Sequence, residues 1–416
     1  MLLLYLIFIF CIVYVEKNNI NKKIEMKVLY ANPVFSDYRL SFYKRLNELF
    51  GGQFYVMYSP LRYRMDKLER TLSKIPFYLK GFSYEYNGEK VLKIKKPLNK
   101  DFDAYYRFPF FRGFLKALGS KKPDVIITEG FFQWTPMVIL YSLIHKVPVY
   151  MGYERTSHTE RFAPKWKVLH RRITDKFISG YFVNGTETKL YLESLGINSN
   201  KIHIGGMNAD SEGLRNGVSS ISVIQKESLR REMKITNEGI VYLYSGQFIL
   251  RKGIIYLLEA WKKHIQNYPK DHLILIGDGE TFTDYSTRFA SLDSLHFMGR
   301  IPYDDVYKFY AISDVFVIPT LEDNWCLVVP EAMSCGMPVA CSKYNGGAVD
   351  LIKNGENGLV FDPLVPDSME AALSFFHGKN LQKMGEKSIE LEKPFNTENS
   401  ARRVYNVLSS LHQWKQ

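Results

Sequence analysis

Three carboxylates in the second half of the chain have the spacing of a ligand site. Residues 320–350 read TLEDNWCLVVPEAMSCGMPVACSKYNGGAVD, with Glu322 and Asp323 in a loop after a predicted strand. Glu331 follows eight residues after Asp323, where a helix is predicted to begin. A carboxylate there can simply cap the helix or complement its dipole. The small residues that follow allow backbone to approach a ligand closely, which favours a binding role.

A pair of cations follows another predicted strand. Residues 245–253 read SGQFILRKG, so Arg251 and Lys252 directly precede the glycine at which a helix is predicted to open. Two cations at a helix start can neutralise a diphosphate, with help from the helix N-terminus. A solvated basic turn is the alternative interpretation.

Further polar loops follow predicted strands, where sites concentrate. The first-half loop 153–161 (YERTSHTER) offers Glu154 to orient a hydroxyl and Arg155 or Arg161 to bind a phosphate, although each competes with a plain salt bridge. In the earlier loop, 32–39, Tyr38 and Arg39 are predicted contacts for an acceptor substrate.

Strand and helix patterns alternate from Met26 to the C-terminus, which predicts parallel sheets wound by helices on both sides. The predicted strands are 27–31, 54–58, 124–128, 147–152, 181–184, 240–244, 272–276, 295–297, 315–318 and 338–341. The predicted helices include 41–50, 186–195, 253–267, 303–311, 329–335 and 399–414. Asn87-Gly88 predicts a hairpin turn within an irregular basic stretch.

These patterns predict an α/β protein with two doubly wound, Rossmann-like domains. The expected boundaries are 26–210 for the first domain, 211–237 for an interdomain passage and 238–395 for the second domain, with 396–416 as a helix that crosses back to the first. The carboxyl ends of both sheets then face one cleft, where ligands bind in such folds.

The 320–350 segment resembles the Glu-x7-Glu region of glycosyltransferase family 4, which has the GT-B fold. The resemblance extends more weakly over residues 26 to about 414. It implies that Glu331 binds the ribose of a nucleotide, that Asp323 contacts the transferred sugar and that Lys252 stabilises the leaving diphosphate. The chain departs from the family at Asp323, where a glutamate is usual and Glu322 could share the task. It departs again at Gln247, where the family carries an arginine.

The resemblance also implies the remaining donor contacts. In the family, loops matching GDG (277–279) and FMGRIP (297–302) line the nucleotide pocket. The GxG of the first loop is by itself weak evidence. The full set of implied donor contacts is Gly246, Gln247, Arg251, Lys252, Gly277, Asp278, Arg300, Ile301, Asn324, Trp325, Cys326, Leu327, Val328 and Glu331. For the acceptor, family members place a histidine near the strand end that here carries Glu154, and His158 lies four residues on.

The implied activity is a retaining transfer of a sugar from a UDP- or GDP-linked donor to a hydroxyl of a glycan or lipid-linked glycan during cell-surface polysaccharide assembly. No Asp-x-Asp pair lies in a suitable loop, so neither a metal nor another cofactor is expected. A sugar-nucleotide epimerase of the same architecture and a non-catalytic sugar-binding scaffold stay open as alternatives. A nicotinamide-dependent oxidoreductase is disfavoured, because no GxGxxG follows the first strand of either domain.

Charge and composition bear on location. The first 200 residues of the 416-residue chain carry a net charge of +15 and the remainder −3. With no nucleic-acid-binding motif present, this asymmetry predicts peripheral contact with the anionic inner face of the cell membrane, and a merely solvated surface is the alternative. The four cysteines include no Cys-x-x-Cys pair, which fits a reducing cytoplasm.

Residues 1–25 carry an apolar run of 14 residues, which is shorter than the roughly 20 needed to span a bilayer. The run could be a short anchor flanked by Lys17, Lys22 and Lys23, an extension before a true start at Met26, or an additional buried element.

Overall fold

The computed structural model describes residues 26–35, 37–60, 83–94, 104–109, 111–205 and 211–413. The three interpretations of residues 1–25 therefore lie outside the described residues. Within the described part of the chain, no helix combines the length and the apolar character needed to cross a bilayer.

The first domain is built on a seven-stranded parallel sheet in the order β3-β2-β1-β6-β7-β8-β9. Central strand β1 (Val28–Ala31) is buried along its whole length, because helices cover both faces of the sheet. The other strands of this sheet are β2 (Phe54–Tyr58), β3 (Ser83–Glu85), β6 (Val125–Glu129), β7 (Val149–Tyr153), β8 (Gly180–Val183) and β9 (Ile202–Ile204). The helices are α1 (Leu40–Leu49), α2 (Phe111–Gly119), α3 (Thr135–His145), α4 (Lys165–Asp175) and α5 (Thr186–Ser194).

The hairpin predicted at Asn87-Gly88 is wrong. Strand β3 pairs in parallel with β2, whereas β4 (Glu89–Ile94) pairs antiparallel with β5 (Ala104–Pro109). The intervening Tyr86 is buried, with its ring 4.8 Å from that of Phe114. Tyr86 therefore anchors the connection from β3 to β4 in the core, and residues 86–88 do not close a hairpin between these two strands.

The second domain is built on a six-stranded parallel sheet in the order β12-β11-β10-β13-β14-β15. Its strands are β10 (Val241–Ser245), β11 (His272–Ile276), β12 (Leu295–Gly299), β13 (Val315–Ile318), β14 (Val339–Ser342) and β15 (Gly358–Phe361). Its helices are α6 (Ser211–Ser220), α7 (Val223–Glu232), α8 (Ile254–Asn267), α9 (Phe282–Arg288), α10 (Tyr303–Ile312), α11 (Val328–Ser334), α12 (Ala348–Leu351), α13 (Ser368–Ser374) and α14 (Leu381–Glu392).

The stretch expected to link the domains packs onto the second one. Helix α6 contacts α10 and α11, and α7 contacts α10. Leu214 and Ile235 lie in the hydrophobic core of the second domain. Residues 211–237 therefore form part of that domain's outer layer.

The last helix, α15 (Thr397–Gln413), packs against α1 of the first domain. Arg45 Nε donates to Glu398 at 2.6 Å, and the ring of Tyr405 lies 5.0 Å from that of Phe50. Val404 is buried in the first domain's core. This last described helix thus packs on the domain that residues 26–205 form, as predicted for residues 396–416.

In each sheet, the strand that comes first in the sequence lies inside the sheet with a later strand on either side, so the strand order reverses there. Strand β1 is flanked by β2 and β6, and β10 is flanked by β11 and β13. Loops that leave neighbouring strands toward opposite faces at such a point create a crevice beyond the carboxyl ends of the strands. Each domain therefore offers one crevice, and the loops of the two domains meet there.

Candidate functional site

A buried ion pair lies at the crevice of the second sheet. Lys252 ends the short turn after β10, and Asp323 lies in the loop after β13. Lys252 Nζ lies 2.5 Å from Asp323 Oδ2, and the two side chains are 11% and 17% exposed. Burial alone would lower the pKa of Lys252, but neighbouring Cys326 and Asp323 raise it above the ordinary lysine value. Because burial raises the pKa of the Cys326 thiol far above neutrality, Asp323 supplies the negative charge.

The glycine after this lysine explains how the two loops come together. Gly253 adopts a φ of +66°, and a Cβ there would lie 2.2 Å from the carbonyl oxygen of Pro319. The Leu321 N–H donates to the Arg251 carbonyl at 2.8 Å. Arg251 itself is about half exposed, with Nη1 3.7 Å from Asp323 Oδ2. The loop after β10 is thus fastened to the end of β13, with one buried and one exposed cation beside the same carboxylate.

A buried asparagine, Asn345, fixes the backbone of the loop from 323 to 328. Asn345 Oδ1 accepts hydrogen bonds from the N–H groups of Cys326 at 3.0 Å and Gly347 at 3.2 Å. The Trp325 and Cys326 side chains are each only 3% exposed and pack into the domain. Any ligand contact by these two residues would therefore come from their backbone. Asn324, in contrast, turns its side chain toward the first domain.

Helix α11 begins at Val328, with Leu327 as its N-cap, and Glu331 lies in its first turn. Its side chain is half-buried. The pKa of Tyr310 in α10 is raised first by burial and then by the negative charge of Glu331, so the two side chains lie near each other. Glu331 and Asp323 thus both follow strand β13, while Lys252 follows its neighbour β10.

Three glycine-containing strand ends interlock beside this cluster. The Gly277 N–H donates to the Gly299 carbonyl at 2.9 Å, and the Gly246 N–H donates to Ile276 at 3.0 Å. A Cβ at Gly277, whose φ is +136°, would lie 1.8 Å from the Gly246 carbonyl oxygen, so only glycine fits. The ends of β10, β11 and β12 therefore form one continuous backbone edge.

The other predicted donor residues flank this edge. Gln247, Asp278 and Arg300 are exposed, and Ile301 is half-buried. The Asp278 carboxylate accepts from the adjacent Gly279 N–H at 2.7 Å. The structure therefore places all the predicted donor residues in the loops after β10 to β13 or at the start of α11.

The first domain carries a buried charged cluster at its own crevice. Arg39, which follows β1, is 4% exposed and ion-paired with Glu129 at the end of β6. Its Nη1 also donates to the Tyr30 hydroxyl at 2.7 Å. These side chains line a small cavity together with Glu154. Arg39 is therefore occupied within the protein, whereas Tyr38 next to it is 39% exposed.

Glu154 connects this cluster to the second domain. The residue is half-buried after β7, and its pKa is raised first by burial. Arg39 opposes the shift, and the negative charges of Glu129 and Asp323 add to it. Since Asp323 belongs to the other domain, Glu154 lies within electrostatic range of it across the cleft.

The rest of the 153–161 loop bonds to the second domain. His158 Nε2 lies 3.0 Å from the Leu321 carbonyl oxygen, and Arg161 Nη1 lies 2.7 Å from Glu322 Oε2. Thr159 Oγ1 donates to the Asn324 side chain at 2.7 Å.

Two predicted acceptor residues differ in what they contact. The His158 ring stacks on Tyr344 with centroids 5.0 Å apart, so it helps to join the domains. Arg155 is about half exposed and lies 3.8 Å from Glu160 of its own loop.

A second bridge between the domains was missed from the sequence. The Asp350 carboxylate accepts from the Thr186 N–H at 2.8 Å and from its hydroxyl at 2.6 Å. A Cβ at adjacent Gly185 would lie 2.2 Å from Asp350 Oδ2, so the domains touch there backbone to side chain. The only sequence signal was the run of small residues, 184–186, after a predicted strand. Glu129 ends an apolar strand and Tyr30 lies within one, so both were interpreted from the sequence as parts of the sheet and not as site residues.

Comparison with solved structures gives the class. Anabaena HepE in complex with UDP superimposes with a TM-score of 0.71 at 16% identity, covering 92% of this chain and 100% of that one. The two facing Rossmann-like domains are the GT-B fold, as predicted from the sequence.

Comparison with known sequences shows a similarity confined mainly to the second domain. Residues 225–390 match the family described as "Glycosyl transferases group 1". The chain is 29% identical over 158 residues to a lipopolysaccharide 1,2-N-acetylglucosaminetransferase of Salmonella typhimurium, covering 35% of this chain and 41% of that protein. It is 26% identical over 267 residues to a sulfoquinovosyl transferase of Arabidopsis thaliana, covering 60% and 49%. Each match spans less than half of the relative's length. Residues 225–390, which make up most of the second domain, are thus similar to the group 1 glycosyl transferases.

Proposed function

We propose that the chain is a retaining glycosyltransferase of family 4 that takes a sugar from a UDP- or GDP-linked donor. The observation that carries the proposal is the buried Lys252–Asp323 pair at the crevice of the second sheet, with Glu331 on the adjoining helix. An ammonium that keeps its charge in a poorly hydrated site is suited to a diphosphate. The UDP complex of HepE, a protein of the same fold, agrees with a donor of this kind.

In the proposed reaction the acceptor hydroxyl oxygen forms a bond to the anomeric carbon while the bond from that carbon to the diphosphate breaks. The hydroxyl proton passes to the departing phosphate oxygen on the same face, so configuration is retained. The main barrier is the negative charge that grows on the leaving group. Lys252, with Arg251 at the rim, stabilises that charge, and a fixed cation is most effective where water is excluded.

The half-buried carboxyl of Glu154 is proposed to position the acceptor hydroxyl. Its raised pKa favours the protonated form relative to an exposed glutamate, so it can donate as well as accept a hydrogen bond. Arg39 and Glu129, held together behind it, fix the charge that Glu154 experiences. Tyr38 and Arg155, which are exposed, are proposed to contact more distant parts of the acceptor.

The acceptor is proposed to be a lipid-linked glycan at the cytoplasmic face of the membrane, in cell-surface polysaccharide assembly. Helix α4 supports this, because its outer face is apolar. Its exposed side chains include Trp166 (60%), Leu169 (60%) and Ile173 (50%), at helical spacing. Phe162 and Phe177 extend the patch at either end, and exposed basic residues surround it. Aromatic and aliphatic groups rimmed by cations suit an anionic bilayer surface.

The donor is tested by thermal shift and turnover with a panel of nucleotide sugars. A bound donor raises the melting temperature. Glu331→Gln removes the charged acceptor proposed for the ribose and is expected to weaken nucleotide binding roughly 10- to 150-fold, since a hydrogen bond to a charged group contributes about 1.5–3 kcal/mol. The matched control, Glu386→Gln, alters an exposed glutamate of α14 and should leave binding unchanged. Equal affinity in the two variants would remove Glu331 from the site.

Membrane contact is tested by vesicle sedimentation. Parent protein should sediment with vesicles containing anionic lipid and much less with zwitterionic ones. Trp166→Ser with Leu169→Ser should abolish this, whereas Val223→Ser with Ile224→Ser, which alters an even more exposed apolar pair on the second domain, should not. If both pairs behave alike, the α4 patch is not the membrane contact.

A further inference from the structure

Three side chains of metal-ligating type converge in the second domain, away from the cleft. His264 lies in α8, Asp271 directly precedes β11, and His377 follows α13. Nε2 of each histidine lies 2.8 Å from Asp271 Oδ2, and the three ligand atoms all fall within 4.8 Å of one another. Asp271 and His264 are fully buried, while His377 is 24% exposed.

The surrounding hydrogen bonds show which atoms of these side chains already have partners and which face one another. Asp271 Oδ1 already accepts from the Ile240 N–H at 2.8 Å, so only Oδ2 faces the histidines. On its other side His264 Nδ1 lies 3.4 Å from Ser374 Oγ, whose proton is donated to Glu370 at 2.6 Å. Ser374 Oγ therefore lies on the far side of this ring, and Nε2 is the nitrogen that faces Asp271.

Nε2 of both histidines faces the same carboxylate oxygen at 2.8 Å. Two N–H donors would satisfy that oxygen as an ordinary hydrogen-bond network, whereas two lone pairs there require a cation between the groups. The convergence of two imidazoles and one carboxylate at a mostly buried place is the arrangement in which a shared metal ion supplies that cation.

We propose that His264, Asp271 and His377 bind a divalent transition-metal ion of the zinc class. Two imidazoles and one carboxylate suit Zn²⁺, which is commonly four-coordinate, and solvent at the exposed side of His377 supplies the fourth ligand. Ser374 and the Ile240 N–H hold the outer atoms of two ligands, as outer-shell partners do in metal sites. The His377 ring is fixed by stacking on Tyr268 at 3.5 Å.

The position makes the role structural. Asp271 lies before β11, whereas the 277–279 loop proposed for the donor follows the other end of that five-residue strand. At about 3.3 Å per residue, the six steps from Asp271 to Gly277 separate the two by roughly 20 Å. The ion would join α8, β11 and α13 without touching the transfer chemistry. His377 is 106 residues from Asp271 in the sequence, so the three side chains do not form a short sequence motif from which the site could be predicted.

The experiment uses the full chain after removal of metals with a chelator. Isothermal titration with Zn²⁺ should give one equivalent bound, and Co²⁺ should give the intense visible absorption of tetrahedral coordination. His377→Ala and, separately, Asp271→Asn should weaken Zn²⁺ binding by at least about 100-fold, more than loss of an outer-shell partner. The matched control is His145→Ala, which removes an exposed imidazole whose ring also lies against a tyrosine, with centroids 4.3 Å from Tyr141. It should bind like the parent.

Asp271→Asn keeps an oxygen for the Ile240 N–H, so circular dichroism should show it folded even if His377→Ala is not. A parent that takes up no Zn²⁺ overturns the proposal in favour of a proton-bridged network. Uptake that persists in both variants overturns it as well, because the ion then lies elsewhere. Nucleotide binding is measured in parallel, so failure of this proposal leaves the proposed function separately tested.

Discussion

The buried lysine of the second crevice permits a test that separates catalysis from stability. Lys252→Met keeps most of the side-chain length and removes the charge. The proposed role predicts a fall in kcat of about 10²–10³, or about 2.7–4 kcal/mol, as for loss of one preorganised group in an active site. A Coulomb estimate for unit charges about 4 Å apart at an effective dielectric of about 20 gives about 4 kcal/mol, which agrees.

The same change affects folding through Asp323. That carboxylate is 17% exposed, and among the residues that the structure describes its remaining ion-pair partner is Arg251, at 3.7 Å. Leaving a poorly solvated group under-paired costs about 1–3 kcal/mol. Adding Asp323→Asn removes the stranded charge, so the double variant should recover most of the lost stability while its turnover stays low.

The assays are urea denaturation and single-turnover transfer from the best donor of the panel. The matched control is Lys263→Met, which breaks a lysine–aspartate pair of 2.7 Å to Asp367 on the surface, with both side chains more than 60% exposed. Exposed pairs of this kind contribute little, so stability and turnover should not change. The reasoning is refuted if Lys252→Met retains kcat to within about threefold, since that is under 1 kcal/mol.

Other predictions concern the first domain and the domain contact. The raised pKa of Glu154 stabilises the fold below about pH 4.5, its ordinary value, and that contribution is lost as pH rises through the raised folded pKa. Glu154→Gln should therefore show a smaller decline in urea stability between pH 4.5 and pH 8 than the parent. Gly185→Ala places a Cβ 2.2 Å from Asp350 Oδ2, so small-angle scattering should report a more open molecule; an unchanged radius of gyration would contradict a close contact. Arg39→Met leaves Glu129, whose side chain is 16% exposed, without its ion-pair partner and should lower the free energy of unfolding by about 3–5 kcal/mol, with recovery in the Arg39→Met, Glu129→Gln double variant.

Much of the fold follows from local pattern. Strands β2, β11 and β13 were predicted with the bounds that the structure gives, because each is a short apolar run bounded by polar or turn residues. Parallel order follows from the alternation with helices. The prediction of a hairpin at 87–88 was wrong because it considered only local residues. Strand β3 pairs with β2, and Tyr86 packs on Phe114, and both partners are distant in the sequence.

The donor half of the candidate site was similarly accessible. Lys252, Asp323 and Glu331 lie in short loops after predicted strands, and carboxyl ends of neighbouring parallel strands must share an edge. Chain connectivity alone therefore brings these residues to one region. What the sequence left open was the pairing itself: that Lys252 donates to Asp323, while Arg251 stays at the rim.

By itself, the sequence determined two doubly wound domains and a cationic, carboxylate-bearing edge in the second, because periodicity and strand-end position act over a few residues. Only the tertiary structure decided that Arg39 is buried on Glu129, that His158 and Thr159 bond to the other domain, and that His264 and His377 meet on Asp271. Burial and charge pairing are set by which distant segments share a volume, and that is fixed when the helices and sheets pack.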